Sequence, residues 1–347
     1  MCILGYADRE ELRGLEAEMN AELQEKVRAS IERIKAFEPK DGYFLAYSGG
    51  KDSTVLLELT KRAGVKFDVH YSVTTVDPPE LVRFVISQFN TVIYNYPDGR
   101  QKRFRSEGGR LIRDEKAAGN EVVFELPETP MRKLIPKKKI PPTRLARYCC
   151  EVLKEVNGTG RVVLTGVRWA ESLRRKQKQG VAVVIGNVRD IAEENGVEYR
   201  ENQKSIVMND DNAETRRTVE ICYRTHKTMV NPIVDWTDQD VWEFIKGEKR
   251  PYCKLYDEGF KRLGCIGCPL GNFPNQRFEF KRYPAFKKMY IDAFQDMLEV
   301  RENARRDDTT GGFWKDADSV FKWWTGGFIG VAKGQISMDD LEVYDAD

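Results

Sequence analysis

A short turn near residue 50 combines glycines, hydroxyls and a lysine in a way that is suited to binding phosphates. Two adjacent glycines let the backbone turn tightly, and the start of a following helix directs free N–H groups towards an anion. The hydroxyls add donors, Lys51 adds a positive charge, and Asp52 is suited to orienting a cation such as Mg²⁺. A Walker A sequence is absent, and the alternative is a β–α turn without a ligand. The residues of this turn are Ser48, Gly49, Gly50, Lys51, Asp52, Ser53 and Thr54.

The cysteines are the second chemical feature. Cys265 and Cys268 form a Cys-x-x-Cys on a glycine-containing turn, which directs two thiolates towards one centre. Cys253 lies just upstream, and the pair Cys149 and Cys150 lies much earlier in the chain. Four thiolates from these positions could hold a [4Fe–4S] cluster or a tetrahedral zinc ion, whereas disulfides are not expected in a reducing compartment. The alternative is one buried pair with unrelated cysteines elsewhere.

Other charged segments suggest an anionic substrate. Asp77 follows the second predicted strand, at the edge where open α/β sheets bind ligands. Its carboxylate could hold a divalent cation or a ribose, or it could only cap the next helix. The basic stretch from Lys137 to Arg144 favours an anion, a nucleic acid included, or is a solvated surface. Two histidines in the whole chain nearly rule out a three-histidine metal site.

The elements that must position these residues alternate between strand and helix. Apolar runs predict strands over residues 43–47, 67–73, 91–94 and 162–166, with helices over 54–63 and 79–89 between them. An amphipathic helix is predicted over residues 8–37. This alternation predicts an α/β fold, with a doubly wound, mostly parallel sheet.

The amino-acid composition and its variation along the chain limit the possible domain organisation. The 347 residues are 41% hydrophobic and 32% charged, with a net charge of +2, as in globular proteins. No run of about 18 apolar residues and no secretory signal are visible, so we expect a cytoplasmic protein without a membrane partner. Three segments are predicted: an N-terminal helix over 1–40, a nucleotide-binding domain over 41–235 with insertions near 98–124 and 178–218, and a C-terminal cysteine-bearing subdomain with a tail over 236–347.

The Ser-Gly-Gly-Lys-Asp-Ser turn resembles the PP-loop signature of the adenine-nucleotide α-hydrolase superfamily. Within that superfamily, the chain is similar to the phosphoadenosine phosphosulfate reductase family from about Tyr43 to Phe286. The resemblance implies that ATP or an adenylyl-sulfate binds at the turn, with Asp77 in a loop that lines the site. The stretch that begins at Gly166 resembles a family motif, which implies that Arg168, and then Arg174 or Arg175, contact phosphate or sulfate oxygens.

The region from Pro232 to Cys268 is similar to the adenylyl-sulfate reductase branch and to the sulfurtransferase subunit of Dnd-type DNA phosphorothioation. Both carry a [4Fe–4S] cluster, which implies Cys265, Cys268 and Cys150 as ligands, Cys149 as a ligand or a neighbour, and Cys253 as an added candidate. Reductases of the family also use a nucleophilic cysteine near the C-terminus, and no cysteine follows Cys268 in this sequence.

We therefore expect ATP pyrophosphatase or sulfurtransferase chemistry with an iron–sulfur site. Lys51, Asp52 and Arg168 are the predicted catalytic residues, and Lys51 and Arg168 would stabilise charge developing at the α-phosphate. The expected partners are a nucleotide substrate with Mg²⁺, a sulfur donor or thiol reductant, and DNA or RNA as a candidate acceptor. The alternatives are a reductase that converts an adenylyl-sulfate to sulfite, and a zinc-stapled nucleotide- or nucleic-acid-binding module without turnover.

Overall fold

A computed structural model describes residues 20–186, 205–222, 226–304 and 314–327. Its chain divides into two compact units, each assembled from separate stretches. The first unit contains Met1–Val73, Pro79–Leu126 and Val156–Leu263, and the second contains Thr74–Pro78, Pro127–Glu155 and Gly264–Asp347. The predicted segments were consecutive along the sequence, so their boundaries at 40 and 235 do not coincide with those of the units.

One sheet organises the first unit, and ten strands of the described residues form it in the order β5-β4-β3-β6-β2-β1-β7-β10-β8-β9. The strands are β1 (Tyr43–Ala46), β2 (Phe67–Ser72), β3 (Thr91–Asn95), β4 (Gln101–Glu107), β5 (Arg110–Arg113), β6 (Glu121–Glu125), β7 (Val162–Leu164), β8 (Ala182–Ile185), β9 (Ser205–Met208) and β10 (Lys227–Val230).

The six central strands, from β3 to β10, are parallel, and antiparallel pairs extend both edges. Strand β1 pairs with β2 on one side and with β7 on the other. Strand β1 is therefore the point at which the strand order diverges, with β2 on one side of it and β7 on the other. Open α/β sheets bind ligands in the crevice at such a point, at the carboxyl ends of the strands.

The helices begin and end where capping chemistry favours it. Asn20 accepts a hydrogen bond from Leu23 N at the first helix, and Thr237 and Asp240 form a reciprocal capping box. Gly64 ends the helix after β1 with a left-handed φ of 69°. The helices are α1 (Ala21–Ala36), α2 (Lys51–Ala63), α3 (Pro79–Ser87), α4 (Met131–Lys138), α5 (Tyr148–Cys150), α6 (Leu173–Lys178), α7 (Ala213–Cys222), α8 (Asp238–Gly247), α9 (Phe273–Arg282), α10 (Pro284–Ala304) and α11 (Ala317–Trp324).

Each unit has its own apolar interior. In the first unit, side chains of the parallel strands pack with α1, α2 and α8, and Leu45, Leu56 and Trp236 are fully buried. In the second unit, an aromatic group joins α9, α10 and α11, with Tyr290 and Trp324 rings 4.7 Å apart. None of the helices in the described residues combines the length and apolar composition needed to span a bilayer.

The predicted fold class is confirmed, and two strands of the parallel core were missed. Strand β6 lies inside the region predicted as a surface insertion near 98–124, yet it pairs with both β2 and β3. The charged, glycine-containing stretch from Phe104 to Asn120 suggested a surface insertion, but Val122 and Phe124 of β6 are buried. Strand β10 was not predicted, because polar Lys227 and Thr228 interrupt its short apolar run. Residues 8–19 of the predicted first helix lie outside the described residues.

Candidate functional site

The turn that connects β1 to α2, residues 48–54, is called here the phosphate turn. Gly49 has a φ of +71°, a conformation that favours glycine. A Cβ at Gly49 would lie 2.6 Å from Val85 Cγ2 and 2.9 Å from Leu81 Cδ1, so helix α3 leaves no room for a side chain. Glycine is therefore required at this position by both backbone conformation and packing.

Hydroxyl groups hold the phosphate turn in shape. Ser48 N donates to Ser53 Oγ at 3.2 Å, and Ser53 Oγ donates to the carbonyl oxygen of Gly50 at 2.9 Å. Thr54 Oγ1 donates to the same carbonyl at 3.1 Å. These hydroxyls were predicted as ligand donors, and the structure shows that they also bond within the turn. The loop is thus formed by its own hydrogen bonds before any anion binds.

Tyr256 lies against the amino end of α2. The Lys51 backbone N–H donates to the Tyr256 hydroxyl at 2.9 Å. The first N–H groups of a helix have no intrahelical acceptor, and they attract anions for that reason. The tyrosine oxygen therefore occupies a position that a phosphate oxygen could take. This residue was not predicted, because it lies 205 positions from Lys51.

Four charged side chains form one network beside the phosphate turn. Lys51 Nζ lies 2.9 Å from Asp238 Oδ1 and 3.3 Å from Asp52 Oδ1. Arg168 Nε donates to Asp52 Oδ1 at 2.7 Å, and Arg168 NH2 donates to Asp238 Oδ1 at 2.6 Å. The third direction of the Arg168 fork is taken by the carbonyl oxygen of Trp236, at 3.2 Å. Two cations and two carboxylates thus hold each other in place.

The burial of these groups differs in a way that bears on ligand binding. The side chains of Lys51 and Arg168 are 7% and 1% exposed, whereas the carboxylate of Asp238 is 71% exposed. Burial disfavours ionisation of Asp238, but hydrogen bonds from Lys51 and Arg168 outweigh it and lower the pKa of Asp238. The exposed member of the network is therefore a carboxylate that stays ionised, and a phosphate reaching the cations must displace it or bring a metal ion to bridge to it.

The predicted contact through Arg168 stays a prediction, since carboxylates and a carbonyl occupy its fork. Arg175 Nε lies 3.3 Å from Glu171 Oε2, one helical turn away. The side chain of Arg174 lies outside the described residues. Arg168 is thus the one predicted arginine whose described contacts include the phosphate turn, through Asp52.

The second unit holds four cysteines, Cys149, Cys150, Cys265 and Cys268, called here the cysteine cluster. Cys149 and Cys150 belong to α5, which continues into a π-helical turn over Glu151–Glu155. No disulfide joins them to other described cysteines. The cluster therefore brings thiols from two distant stretches of sequence into one unit, and it contains Cys149 in place of the predicted Cys253.

Packing fixes the Cys265–Cys268 turn. Gly267 has a φ of +70°, and a Cβ there would lie 2.3 Å from the ring of Phe280. Ile266 N donates to the Val76 carbonyl oxygen at 2.8 Å, and the Tyr290 hydroxyl donates to the Ile266 carbonyl oxygen at 3.0 Å. The two thiols are consequently presented on a rigid turn.

The thiols of the cysteine cluster influence each other electrostatically. A hydrogen bond from the Cys149 thiol, with help from Arg147, lowers the pKa of Cys150 to about 6. Burial raises the pKa of Cys265 to about 11, although the Lys154 ammonium opposes this shift. The charges of Cys265, Asp77 and Cys268 in turn raise the pKa of Lys154. Lys154 is thus a cation placed among sulfurs, a role that the sequence did not indicate.

The donor set of the cysteine cluster fits soft metal chemistry. Four thiolates suit iron–sulfur clusters and zinc, in contrast to the oxygen donors that hold Mg²⁺. Among the described residues, no group of three or more His, Cys, Asp and Glu side chains comes together as a site for a metal ion. The [4Fe–4S] cluster and the zinc ion therefore both stay predictions for these cysteines.

Two predicted residues lie in units other than those of their predicted partners. Cys253 belongs to the first unit and is 1% exposed, and burial raises its pKa. Asp77 belongs to the second unit, where its carboxylate accepts a hydrogen bond from Thr74 N at 2.9 Å. Its recorded charge interactions are with Lys154 and Cys265. The predicted roles of Cys253 as a metal ligand and of Asp77 in nucleotide binding stay predictions.

A parallel α/β sheet with a glycine turn at the point where its connections diverge defines a PP-loop nucleotide-binding protein. A family model for the phosphoadenosine phosphosulfate reductase domain matches residues 42–270. The chain belongs to this family.

Individual relatives match shorter stretches. The phosphoadenosine 5'-phosphosulfate reductase of Xylella fastidiosa (strain M12) is 37% identical over 65 residues, which is 19% of this chain and 27% of that protein. The adenosine 5'-phosphosulfate reductase of Oceanobacillus iheyensis is 44% identical over 45 residues, which is 13% of this chain and 19% of that protein. The matched stretches thus span less than a third of these relatives.

Among solved structures, the fold is similar to that of a phosphoadenylyl-sulfate reductase from Candida auris in a phosphate complex. The TM-score is 0.36 at 14% sequence identity, and the match covers 76% of this chain and 98% of that one.

Proposed function

We propose that this chain is a PP-loop enzyme that cleaves ATP at its α-phosphate and uses the activated product in sulfur transfer. The observation that carries the proposal is the network of Lys51, Asp52, Arg168 and Asp238 at the phosphate turn. Two buried cations beside a helix amino terminus form a site for a polyphosphate. The exposed Asp238 carboxylate, with Asp52, is suited to holding the Mg²⁺ that accompanies ATP.

In the first step, an acceptor oxygen, or that of water when no acceptor is present, attacks the α-phosphorus and forms a new P–O bond. The bond to the bridging oxygen breaks, and pyrophosphate leaves with the electron pair. Lys51 and the N–H groups of the first turn of α2 stabilise the charge that develops on the phosphate oxygens. Arg168 holds Asp52 and Asp238 in place and keeps Lys51 oriented towards the ligand.

In the second step, a sulfur nucleophile at the oxidation level of sulfide, supplied by a separate donor, attacks the activated carbon of the acceptor. The C–S bond forms as the C–O bond breaks, and AMP leaves. A nucleic acid is our candidate acceptor. We place this chemistry in the cytoplasm, where the six free cysteines of the described residues stay reduced.

Cys149, Cys150, Cys265 and Cys268 would hold a [4Fe–4S] cluster, with Cys253 as a further candidate ligand. Such a cluster binds sulfur or transfers electrons when it is present. The chain's contribution is to present two thiols on the rigid turn around Gly267 and two on α5, and to place Lys154 among them. A cation at this position offsets the negative charge of four thiolates.

A second candidate function is the reduction of an adenylyl-sulfate to sulfite. The matching relatives named as sulfonucleotide reductases favour it. The same phosphate turn and cations would hold the adenylyl-sulfate, and a thiol reductant would supply the electrons. We rank this function second because the matched stretches cover only 27% and 19% of those reductases.

The test is to incubate anaerobically purified protein with ATP and Mg²⁺, and separately with adenylyl-sulfates and thioredoxin. Our proposal expects pyrophosphate from ATP, formed about 10²- to 10³-fold more slowly by the Lys51→Gln variant. Sulfite from an adenylyl-sulfate, without pyrophosphate from ATP, would establish the reductase instead. Iron and acid-labile sulfide are measured in the same preparation. Stoichiometric zinc without iron, together with no turnover in either reaction, would favour a binding module.

A further inference from the structure

Three helices of the second unit surround a cavity that lies on neither the phosphate turn nor the cysteine cluster. The cavity has a volume of about 550 Å³, within the range of pockets that bind ligands of nucleotide size. We call it the cationic pocket, and its lining comes from α9, the start of α10 and α11. The lining residues are Arg277, Phe280, Lys281, Lys287, Asp318, Phe321, Lys322 and Thr325.

Charge distinguishes this pocket from an ordinary surface groove. Four cations line it against one carboxylate, that of Asp318. Lys281, Lys287 and Lys322 have no carboxylate of the described residues within salt-bridge distance, and neither has Arg277. Like charges gathered around one cavity repel each other and favour the binding of an anion.

The floor of the pocket is aromatic. Phe280 is buried, and its ring packs edge-on against the ring of Phe321, with centroids 5.0 Å apart. Phe321 is only partly buried, and Lys287 Nζ lies 5.4 Å from its ring centroid. Arg277 NH1 donates to the carbonyl oxygen of Thr325 at 2.9 Å, which anchors this guanidinium at the rim. A planar group could therefore stack on an accessible ring while cations surround it.

The fold of the second unit does not explain these cations. The aromatic group of Phe280, Tyr290 and Trp324 joins the three helices, and caps at Asn272 and Asp316 start two of them. Among the described residues, these four cations have no carboxylate partner, so their mutual repulsion is not offset by an ion pair. A ligand that carries both phosphates and planar rings would use every lining feature at once.

We propose that the cationic pocket binds single-stranded nucleic acid, with phosphates against its lysines and arginine and a base on Phe321. Single strands are the form whose bases are free to stack on protein aromatics. The inference rests on the proposed function for the role of the nucleic acid as acceptor, and it adds the surface that would hold it. Binding at this surface requires neither ATP nor a metal, so it can be measured separately.

The test uses a fluorescein-labelled single-stranded oligonucleotide and fluorescence anisotropy at several salt concentrations, with no nucleotide added. Lys287→Gln is compared with Lys288→Gln, because the two lysines are adjacent on α10 and only Lys287 lines the pocket. Lys288 instead pairs with Asp292 at 2.9 Å. We expect Lys287→Gln to weaken binding about threefold or more and to reduce the slope of log K against log salt by about 0.7. Lys288→Gln should change neither quantity.

Phe321→Leu tests the stacking contact, with an expected loss of affinity of about fivefold that does not depend on salt. Equal effects of the two lysine variants would overturn the proposal, since they would indicate binding by diffuse charge. So would displacement of the oligonucleotide by pyrophosphate at an equal concentration of phosphate groups, which would identify a small-anion site. ATP cleavage without nucleic acid should be the same in Lys287→Gln as in the wild type. If neither the wild type nor Lys287→Gln cleaves ATP, that result contradicts the proposed function and leaves the proposal for this pocket to be decided by the binding measurements.

Discussion

The phosphate turn and the cysteine cluster differ in the partners that their reactive groups have within the protein. At the phosphate turn, Lys51 and Arg168 each contact carboxylates of the opposite charge. In the cysteine cluster, the thiols interact mainly with one another, and two cations, Lys154 and Arg147, also act on them. The charges of the turn are therefore balanced within the protein, whereas thiolates gathered in the cluster would repel each other.

The comparison shows that two sites in one chain can depend on ligands to different extents. Variants of the phosphate turn should alter turnover and leave metal content unchanged. Variants of the cluster should alter metal content first.

The largest expected effect is that of Lys51→Gln. Removing a charge aimed at the developing negative charge should lower the rate of ATP cleavage about 10²- to 10³-fold. Iron content should stay at the wild-type value. Lys61→Gln is the matched control, because Lys61 lies at the exposed end of the same helix. A parallel loss of iron in Lys51→Gln would show that the two sites are not separable.

Cys268→Ser should have the next largest effect, on metal content. Loss of a residue that binds the metal directly should weaken metal binding by more than about 100-fold. Substitution of residues that only hydrogen-bond to the ligands typically weakens it by about 10- to 100-fold. Cys222→Ala is the control, since Cys222 packs with Val184 and Ile206 in the first unit. Iron and labile sulfide are measured for both proteins after anaerobic purification. Wild-type iron in Cys268→Ser would remove Cys268 from the ligand set.

Tyr256→Phe should have a smaller effect, on stability and on ATP affinity, because it removes the acceptor of the Lys51 backbone N–H. Loss of the hydroxyl leaves the Lys51 N–H without its acceptor, which should reduce the free energy of unfolding by about 1 kcal/mol. A bound phosphate replaces that acceptor, so the loss should disappear with ATP present, and ATP should bind about fivefold more tightly.

Urea unfolding and calorimetric titration measure the two quantities for Tyr256→Phe. Tyr252→Phe is the control, because its hydroxyl donates to Asp257 at 3.0 Å and has no recorded bond to the turn. Weaker ATP binding by Tyr256→Phe would contradict this prediction and would make the hydroxyl a donor to the phosphate.

The smallest expected effect is the contribution of His70, which lies outside both sites, to the pH dependence of stability. His70 lies between the carboxylates of Asp68 and Glu125, each at 2.7 Å, and Arg161 also pairs with Asp68. Burial disfavours the charged imidazole, but the two hydrogen bonds outweigh it and raise the pKa of His70. The charged form therefore stabilises the folded state fully below the unfolded pKa of about 6.5.

This contribution is lost as the pH rises through the raised pKa of His70. Thermal unfolding between pH 6 and 9 should show that fall in stability, and His70→Gln should remove it. His226→Gln, which changes the other histidine, should retain the fall. A His70→Gln protein with the wild-type pH profile would assign the dependence to other groups.

The sequence by itself determined the features that depend on neighbouring residues. Glycines, hydroxyls and a lysine between an apolar run and a helix predicted the phosphate turn, and Cys-x-x-Cys around Gly267 predicted a thiol-bearing turn. Alternation of strand and helix predicted the parallel α/β fold, since these patterns follow from local backbone preferences and burial.

Tertiary structure alone decided which distant residues complete each site. Asp238 and Tyr256 reach the phosphate turn from 187 and 205 positions away, and no local pattern encodes such contacts. Strand β6 follows a charged stretch that suggested a surface, and only its pairing with β2 and β3 places it in the central sheet, where Val122 and Phe124 are buried. The assignment of Asp77 to the unit of the cysteine cluster likewise follows from packing. Contacts between residues far apart in sequence form only once the tertiary fold brings those residues together, so local sequence patterns do not predict them.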